Sequence, residues 1–252
     1  MIRKQGFVAL LDVLGFSERV SAEGTSGLDG YIDTVVGLAQ LYFGVETVLF
    51  SDTVVLYALD DTPEMYDEIL ELTSALSYHL LMAEVPTRGT IAYGAFARSE
   101  RESHGVFVAG RPIVEAHFFE SRLQWIGAML APSVLRQVPA LASSGPLSGP
   151  RGAEGPEEYF ARVAREARVQ RCSGIPIQGR DQTLPSFLEG FGVVPLPRPL
   201  ETPNKVLDGI ASALDKLRWL KQLAPAPRSQ AKYQYSISWL EGLYHSWISS
   251  LK

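Results

Sequence analysis

Phe7-Val8-Ala9-Leu10-Leu11-Asp12-Val13-Leu14-Gly15-Phe16 is an apolar run interrupted by one carboxylate and closed by a glycine turn. A short run of this kind suits a central strand covered on both faces. Gly15 and Ser17 then break the strand and start a helix. Asp12 falls at the strand end, where an unpaired buried carboxylate is expensive. Two readings follow: it caps the next helix, or it belongs to a site. Arg3 and Lys4 precede the run, but it ends in Asp12 with no small-residue cleavage motif. It reads as a buried strand and not a signal peptide.

Outward from that strand, residues 31–43 carry Ile32, Val35, Val36, Ala39 and Tyr42 at helical spacing, and Gly44 stops them. Residues 45–59 are rich in β-branched and aromatic side chains around Ser51-Asp52, which predicts a hairpin with the polar pair at its turn. A helix follows Pro63, with Met65, Ile69, Leu72, Leu76 and Leu80 as its buried face. Residues 86–96 predict a strand containing Gly89 and Gly94. A polar connection over 98–105, a short strand over 106–108, a helix from Gly110-Arg111-Pro112 to about Arg122 and a strand over 125–130 come next. The order predicts an α+β sandwich, with helices over one face of a largely antiparallel sheet.

The character changes near residue 142. Residues 143–150 are a loop by composition. Residues 156–171 predict an amphipathic helix with Tyr159, Phe160, Val163 and Ala167 on one face. Residues 173–203, rich in Pro and Gly, predict irregular chain. Residues 204–222 predict a helix capped by Asn204, with Val206, Ile210, Leu214 and Leu217 inward. The aromatic tail 232–250 (Tyr233, Tyr235, Trp239, Tyr244, Trp247) fits a strand or a helix equally, packed in a core or at a dimer contact. Together these predict one core over 1–135 and an extension over 136–252 that packs on it without forming a separate domain.

The 252 residues are 46% hydrophobic and 20% charged, with a formal net charge of −5. The acidic balance argues against a general nucleic-acid binder. No apolar run reaches the roughly 18 residues of a membrane span. The single cysteine, Cys172, excludes an internal disulfide and fits the reducing cytoplasm. His79, His104, His117 and His245 show no metal-ligand spacing, and no Walker, Gly-x-Ser-x-Gly or Cys-x-x-Cys motif occurs.

Asp52 gives Asp12 a second meaning. If the first strand lies beside the hairpin, both carboxylates reach one end of the sheet. Two neighbouring carboxylates repel, and that makes a place for a hard cation such as Mg²⁺ completed by substrate phosphates. At the same end, Leu14, Gly15 and Phe16 can turn backbone N–H groups toward an anion at a helix N-terminus.

Asp12-Val-Leu-Gly-Phe16, Phe50-Ser-Asp52, Arg88-Gly-Thr-Ile-Ala-Tyr-Gly94 and Gly110-Arg-Pro-Ile-Val-Glu-Ala116 come in the order of the catalytic domain of class III nucleotide cyclases, which the chain resembles over about residues 5–135. The start of the chain and the Phe-Ser-Asp-Thr-Val hairpin look most like the pyrimidine cyclases of bacterial Pycsar anti-phage systems. The resemblance implies a class III cyclase-like sandwich that binds two divalent ions, Mn²⁺ or Mg²⁺, through Asp12, Asp52 and the Val13 carbonyl. It implies triphosphate binding at Leu14, Gly15 and Phe16. It also implies a homodimer with sites at the interface, conversion of UTP or CTP to cyclic UMP or cyclic CMP with UTP favoured, and a separate effector reached only through the product.

Two departures stand out. Adenine-specific relatives carry a lysine four residues before the second aspartate, where this chain has Val48. The Asn–Arg pair expected on the helix after Gly110 is missing from Ile113-Val-Glu-Ala-His-Phe-Phe-Glu-Ser-Arg122. Arg122, Arg111, Arg98 and Arg88 are the candidates to replace that arginine, with Arg88 equally able to be a structural ion-pair partner. Phe16 and Phe50 are the candidates to shape a pocket for a small base. The rival readings are a cyclase-fold nucleotide sensor and a different metal-dependent nucleotidyl enzyme.

Overall fold

The computed structural model describes residues 2–24, 28–101, 105–138, 156–178, 185–198 and 202–250. In chain order the elements are β1 (Ile2–Val13), α1 (Phe16–Glu23), α2 (Asp29–Ala39), β2 (Val45–Phe50), β3 (Thr53–Ala58), α3 (Pro63–Met82), β4 (Thr87–Arg101) and β5 (Gly105–Gly110). They continue as α4 (Arg111–Glu120), β6 (Gly127–Leu130), α5 (Pro132–Gln137), α6 (Pro156–Arg168), β7 (Val169–Gln178), β8 (Pro185–Val193), α7 (Pro203–Leu223) and α8 (Pro227–Ser250). His104 and the loop over 143–150 lie outside the described residues.

One eight-stranded sheet runs in the order β2-β3-β1-β4-β6-β8-β7, with β5 on the far part of β4. Its described pairs are antiparallel except β4 with β6. β1 is central, as its apolar run requires: it pairs β3 on one side and β4 on the other. Its side chains alternate between two cores. Phe7, Ala9, Leu11 and Val13 join Ile69, Leu72, Leu76 and Leu80 of α3, whereas Leu10 joins Ala92 and Ala116 of α4. Helices therefore cover both faces, not one. The small side chain of Ala116 is what α4 sets against Leu10 and Ala92.

α3 starts where a cap dictates: the Thr62 hydroxyl accepts from the Met65 N–H at 3.4 Å, with Pro63 behind it. In α2 the inward stripe is Tyr31 and Val35, while Ile32 and Val36 are exposed. Of the residues at helical spacing, Val35 and Tyr42 are buried, whereas Ile32 and Val36 give the inward place to the ring of Tyr31.

The largest departure is in residues 173–203, which hold β7 and β8 instead of irregular chain. β7 is the sheet edge, so Pro176 is tolerated there, and the register slips between Cys172 and Ile175. Gly192 of β8 makes room for an aromatic pair: a Cβ there would meet Trp239 at 2.6 Å and Trp125 at 2.7 Å. The aromatic tail is helical and α7 is capped by Thr202, not Asn204. Val206, Ile210, Leu214 and Leu217 face inward as expected. In α6, Val163 and Ala167 are buried, and the Tyr159 and Phe160 side chains lie outside the described set.

Candidate active site

Four adjacent strands converge at one end of the sheet. Asp12 on β1 registers with Thr53 on β3 and with Arg88 on β4, and Arg88 registers with Gly127 on β6. The Val13 N–H donates to the Asp52 carbonyl at 2.9 Å, which fixes the hairpin turn beside the end of β1. Ser51 takes φ +56° to close that two-residue loop, and Asp52 follows it. The strand–hairpin juxtaposition expected from the sequence is present.

The two aspartates differ in their surroundings. Arg88 donates from Nε to Asp12 Oδ2 at 3.1 Å, and its Nη2 lies 3.1 Å from the same oxygen. Arg88 Nε is also 2.8 Å from Oε1 of Glu120, a nearly buried carboxylate at the end of α4. Arg88 Nη1 donates to the Leu123 carbonyl at 3.5 Å. Asp52 has no ion-pair or side-chain hydrogen-bond partner among the described residues. Burial pushes the Asp12 carboxyl up; the Arg88 guanidinium opposes this and the Asp52 charge adds to it. Glu120 is likewise pushed up, by burial first, against Arg88.

Tyr31 completes this end. Its hydroxyl is buried without a hydrogen-bond partner among the described residues, and burial followed by the Asp52 and Asp12 charges pushes its ionisation well up. The hydroxyl stays neutral and can donate. Phe16 packs edge-on against the Tyr31 ring at 6.2 Å between centroids.

Gly15 has φ +76°, a left-handed conformation that favours glycine, and it caps α1. The Leu14 N–H donates to the Pro86 carbonyl at 2.9 Å, so it does not point outward as the sequence suggested. Gly15 and Phe16, at the start of α1, are left as the backbone donors of that turn. The proposed aromatic pair separates too: Phe16 lies on Tyr31, whereas Phe50 is 77% exposed. Val48 packs with Val8, Tyr57 and Phe96.

Among the four arginine candidates, Arg88 is the one on Asp12. Arg98 pairs with Glu46 and Tyr57, Arg122 stacks on the Phe118 ring at 3.8 Å, and Arg111 is exposed. His117 is exposed, 3.5 Å from Glu120. Glu120, Tyr31 and Lys232 of α8, which lies within electrostatic range of Arg88, Asp12 and Glu120, were not singled out from the sequence. A half-buried arginine needs carboxylate partners, but only the packing of α4 against β4 makes Glu120 one of them.

Among the described residues no cluster of three or more His, Cys, Asp and Glu side chains forms a ready-made metal cage. The donor set present is of another kind: a free carboxylate on Asp52 beside Asp12, whose Arg88 contacts both fall on Oδ2. That set fits a hard cation held by one or two carboxylates and completed by substrate phosphates.

The fold is that of a nucleotide cyclase domain. The guanylate cyclase domain of RhGC from Catenaria anguillulae in complex with GTP superposes with a TM-score of 0.51 at 11% identity, covering 77% of this chain and 99% of that one. The catalytic core of a rhodopsin-guanylyl cyclase with converted specificity, in complex with ATPαS, matches at 0.48 and 11% identity over 77% and 98% of the two chains. A class III adenylyl cyclase-like ATP-binding protein from Pseudomonas aeruginosa matches at 0.40 and 15% identity over 54% and 35%. No protein-family model matches the chain, and no curated protein matches it.

Proposed function

We propose that this chain is a pyrimidine nucleotide cyclase that converts UTP to cyclic UMP and pyrophosphate, a messenger read by a separate effector in anti-phage defence. The observation that carries the reading is the meeting of Asp12 and Asp52 at one sheet end of a cyclase fold, beside the left-handed Gly15 turn.

In this reading Asp12, Asp52 and the Val13 carbonyl hold two divalent ions, Mn²⁺ or Mg²⁺. When bound, those ions lower the pKa of the ribose 3′-hydroxyl and neutralise charge on the phosphates. The residues of the chain do the rest. The Gly15 and Phe16 amides bind the triphosphate at the start of α1. Arg88, released from Asp12 Oδ2, meets the negative charge that grows on the α-phosphate as the 3′-oxygen attacks and pyrophosphate leaves. Val48, apolar where adenine-specific relatives carry lysine, favours a base other than adenine. The order UTP before CTP rests on the sequence resemblance alone.

The site is completed by a second copy of the chain in a C2 homodimer. Val114 and Phe118 of α4 and Phe107 of β5 are exposed, as an apolar contact surface needs. Residues 1–135 form the catalytic core and 136–252 its extension.

Two observations favour a second reading, a nucleotide sensor that does not turn its ligand over: Arg88 occupies Asp12, and α4 carries no Asn–Arg pair. Metal-dependent pyrophosphate release separates the two. Release from UTP or CTP that is lost in Asp52→Ala supports the cyclase. Nucleotide binding by a folded protein with no release from any triphosphate supports the sensor.

A further inference from the structure

The turn between α3 and β4 holds the Gly15 turn from both sides. Ahead of Gly15, the Leu14 N–H donates to the Pro86 carbonyl at 2.9 Å. Behind it, Arg19 donates from Nη2 to the Glu84 carbonyl at 2.8 Å. The Arg19 N–H itself closes the first turn of α1 on the Gly15 carbonyl at 3.1 Å, so the guanidinium anchors that turn. Two carbonyls of one short connection therefore fix the junction at which the Gly15 and Phe16 amides are left for an anion.

Glu84 stands where α3 ends. The Glu84 N–H donates to the Leu81 carbonyl at 3.0 Å and the Val85 N–H to the Leu80 carbonyl at 2.8 Å, and Glu84 takes φ +66°. This is the left-handed helix end that glycine fills most easily. A longer side chain is unfavourable in that conformation, so its presence calls for a reason outside the turn. The Glu84 carboxylate lies 3.5 Å from Lys216 Nζ of α7.

α7 offers a fixed seat for that contact. Leu14 packs on the cluster that holds Ile210, Leu214 and Leu217 of α7 with Ile237 and Leu240 of α8. α8 is fastened to the sheet by Ser236, whose hydroxyl receives the Ile126 N–H at 2.8 Å and donates to the Ile126 carbonyl at 2.9 Å. The extension thus meets the Gly15 turn twice, through Leu14 and through Glu84.

We propose that Glu84 is a positioning residue for phosphate binding: its carbonyl seats the first turn of α1, and its carboxylate ties that seat to Lys216 of the extension. It acts through Arg19 and α1, not by touching the phosphates. This rests on the reading of the Gly15 turn as a triphosphate site, and it makes the extension a determinant of phosphate affinity.

The test is calorimetric titration of Mg²⁺ with inorganic tripolyphosphate into the full chain, beside thermal melts. Wild type should bind, and Asp52→Asn should lose the Mg²⁺-dependent part. Glu84→Gly keeps the carbonyl, suits the left-handed backbone and removes only the carboxylate. Its thermal midpoint should hold or rise, while its affinity falls about threefold to fivefold, the most an exposed ion pair can transmit. Lys216→Glu should weaken binding as much, and combining Glu84→Lys with Lys216→Glu should recover most of the loss. A role confined to folding would move the melts and leave the affinity alone. Amide hydrogen exchange reads the same link in wild type, even if a variant does not fold: tripolyphosphate should slow exchange over residues 84–85 as well as over 15–19. Wild-type binding that depends on Asp52, with Glu84→Gly and Lys216→Glu equally tight or exchange slowed at α1 alone, overturns this assignment and leaves the phosphate site standing. A wild type that binds no tripolyphosphate overturns the phosphate-site reading and this assignment together.

Discussion

Asp12 is held by Arg88, whereas Asp52, one strand away, is held by no side chain among the described residues. The asymmetry separates stability from activity. Asp52→Asn removes a repulsion with Asp12 and breaks no pairing, so chemical denaturation without added metal should show unchanged or slightly raised stability. Its metal-dependent turnover should fall by about a hundredfold or more. Arg88→Ala does the reverse to the apo protein: it strands the carboxylates of Asp12 and Glu120 in a half-buried place. We expect a loss of about 3 kcal/mol in the same denaturation experiment. Asp12 and Asp52 were legible in the sequence because each interrupts an apolar run. Glu120 and Tyr31 were not, because their meaning depends on which strands and helices lie beside them. Phe50 was legible only as an aromatic near the turn, and its 77% exposure takes it out of a pocket within one chain.

At the level of elements, close approach governs what can change. A Cβ on Gly89 would meet the Leu10 carbonyl at 2.6 Å and Leu11 Cδ2 at 2.4 Å, where β4 crosses beside β1. Backbone cannot move aside there without disturbing the Asp12–Arg88 register. Gly89→Ala should therefore cost about 1–3 kcal/mol and lower activity as well, measured by denaturation and by turnover. On α3, burial pushes the Asp67 carboxyl up, with Arg165 at 2.9 Å opposing it. A carboxyl raised in the folded state contributes stability that is full below its unfolded pKa of 3.8 and is lost as pH rises through the folded value. Relative to wild type, Asp67→Asn should look more stable at pH 7 than at pH 3.5 in thermal melts. The first strand, the hairpin, α3 and α4 were readable because their apolar periods are long and bounded by turn residues. β7 and β8 were not: their Pro and Gly read as loop, although an edge position excuses Pro176 and a tryptophan pair fills the space left open by Gly192.

Across the whole molecule, the sheet does not stop at β6. β8 and β7 continue it, and Val169, Phe191 and Val193 share a core cluster with β1 and α3. Ser74 of α3 ties in the chain after β8, donating to the Val194 carbonyl at 2.6 Å and receiving the Leu196 N–H at 3.2 Å. Ser236→Ala would leave the Ile126 N–H and carbonyl without their partner, at a cost of about 1–3 kcal/mol in denaturation. Among the described residues no helix is long and apolar enough to cross a membrane. The exposed Phe118 and Val114 should be covered by a second copy, so Phe118→Asp should shift sedimentation from dimer toward monomer and lower turnover with it.

Asp12 and Asp52 together are expected to support cyclisation of a pyrimidine triphosphate. Chromatography of the products formed from each of the four ribonucleoside triphosphates, with Mn²⁺ or Mg²⁺, beside Asp52→Ala, tests it most directly. The expected result is one cyclic pyrimidine monophosphate, cyclic UMP first, absent from the mutant. A cyclic purine product, a linear or two-base product, or the same product from Asp52→Ala would contradict it.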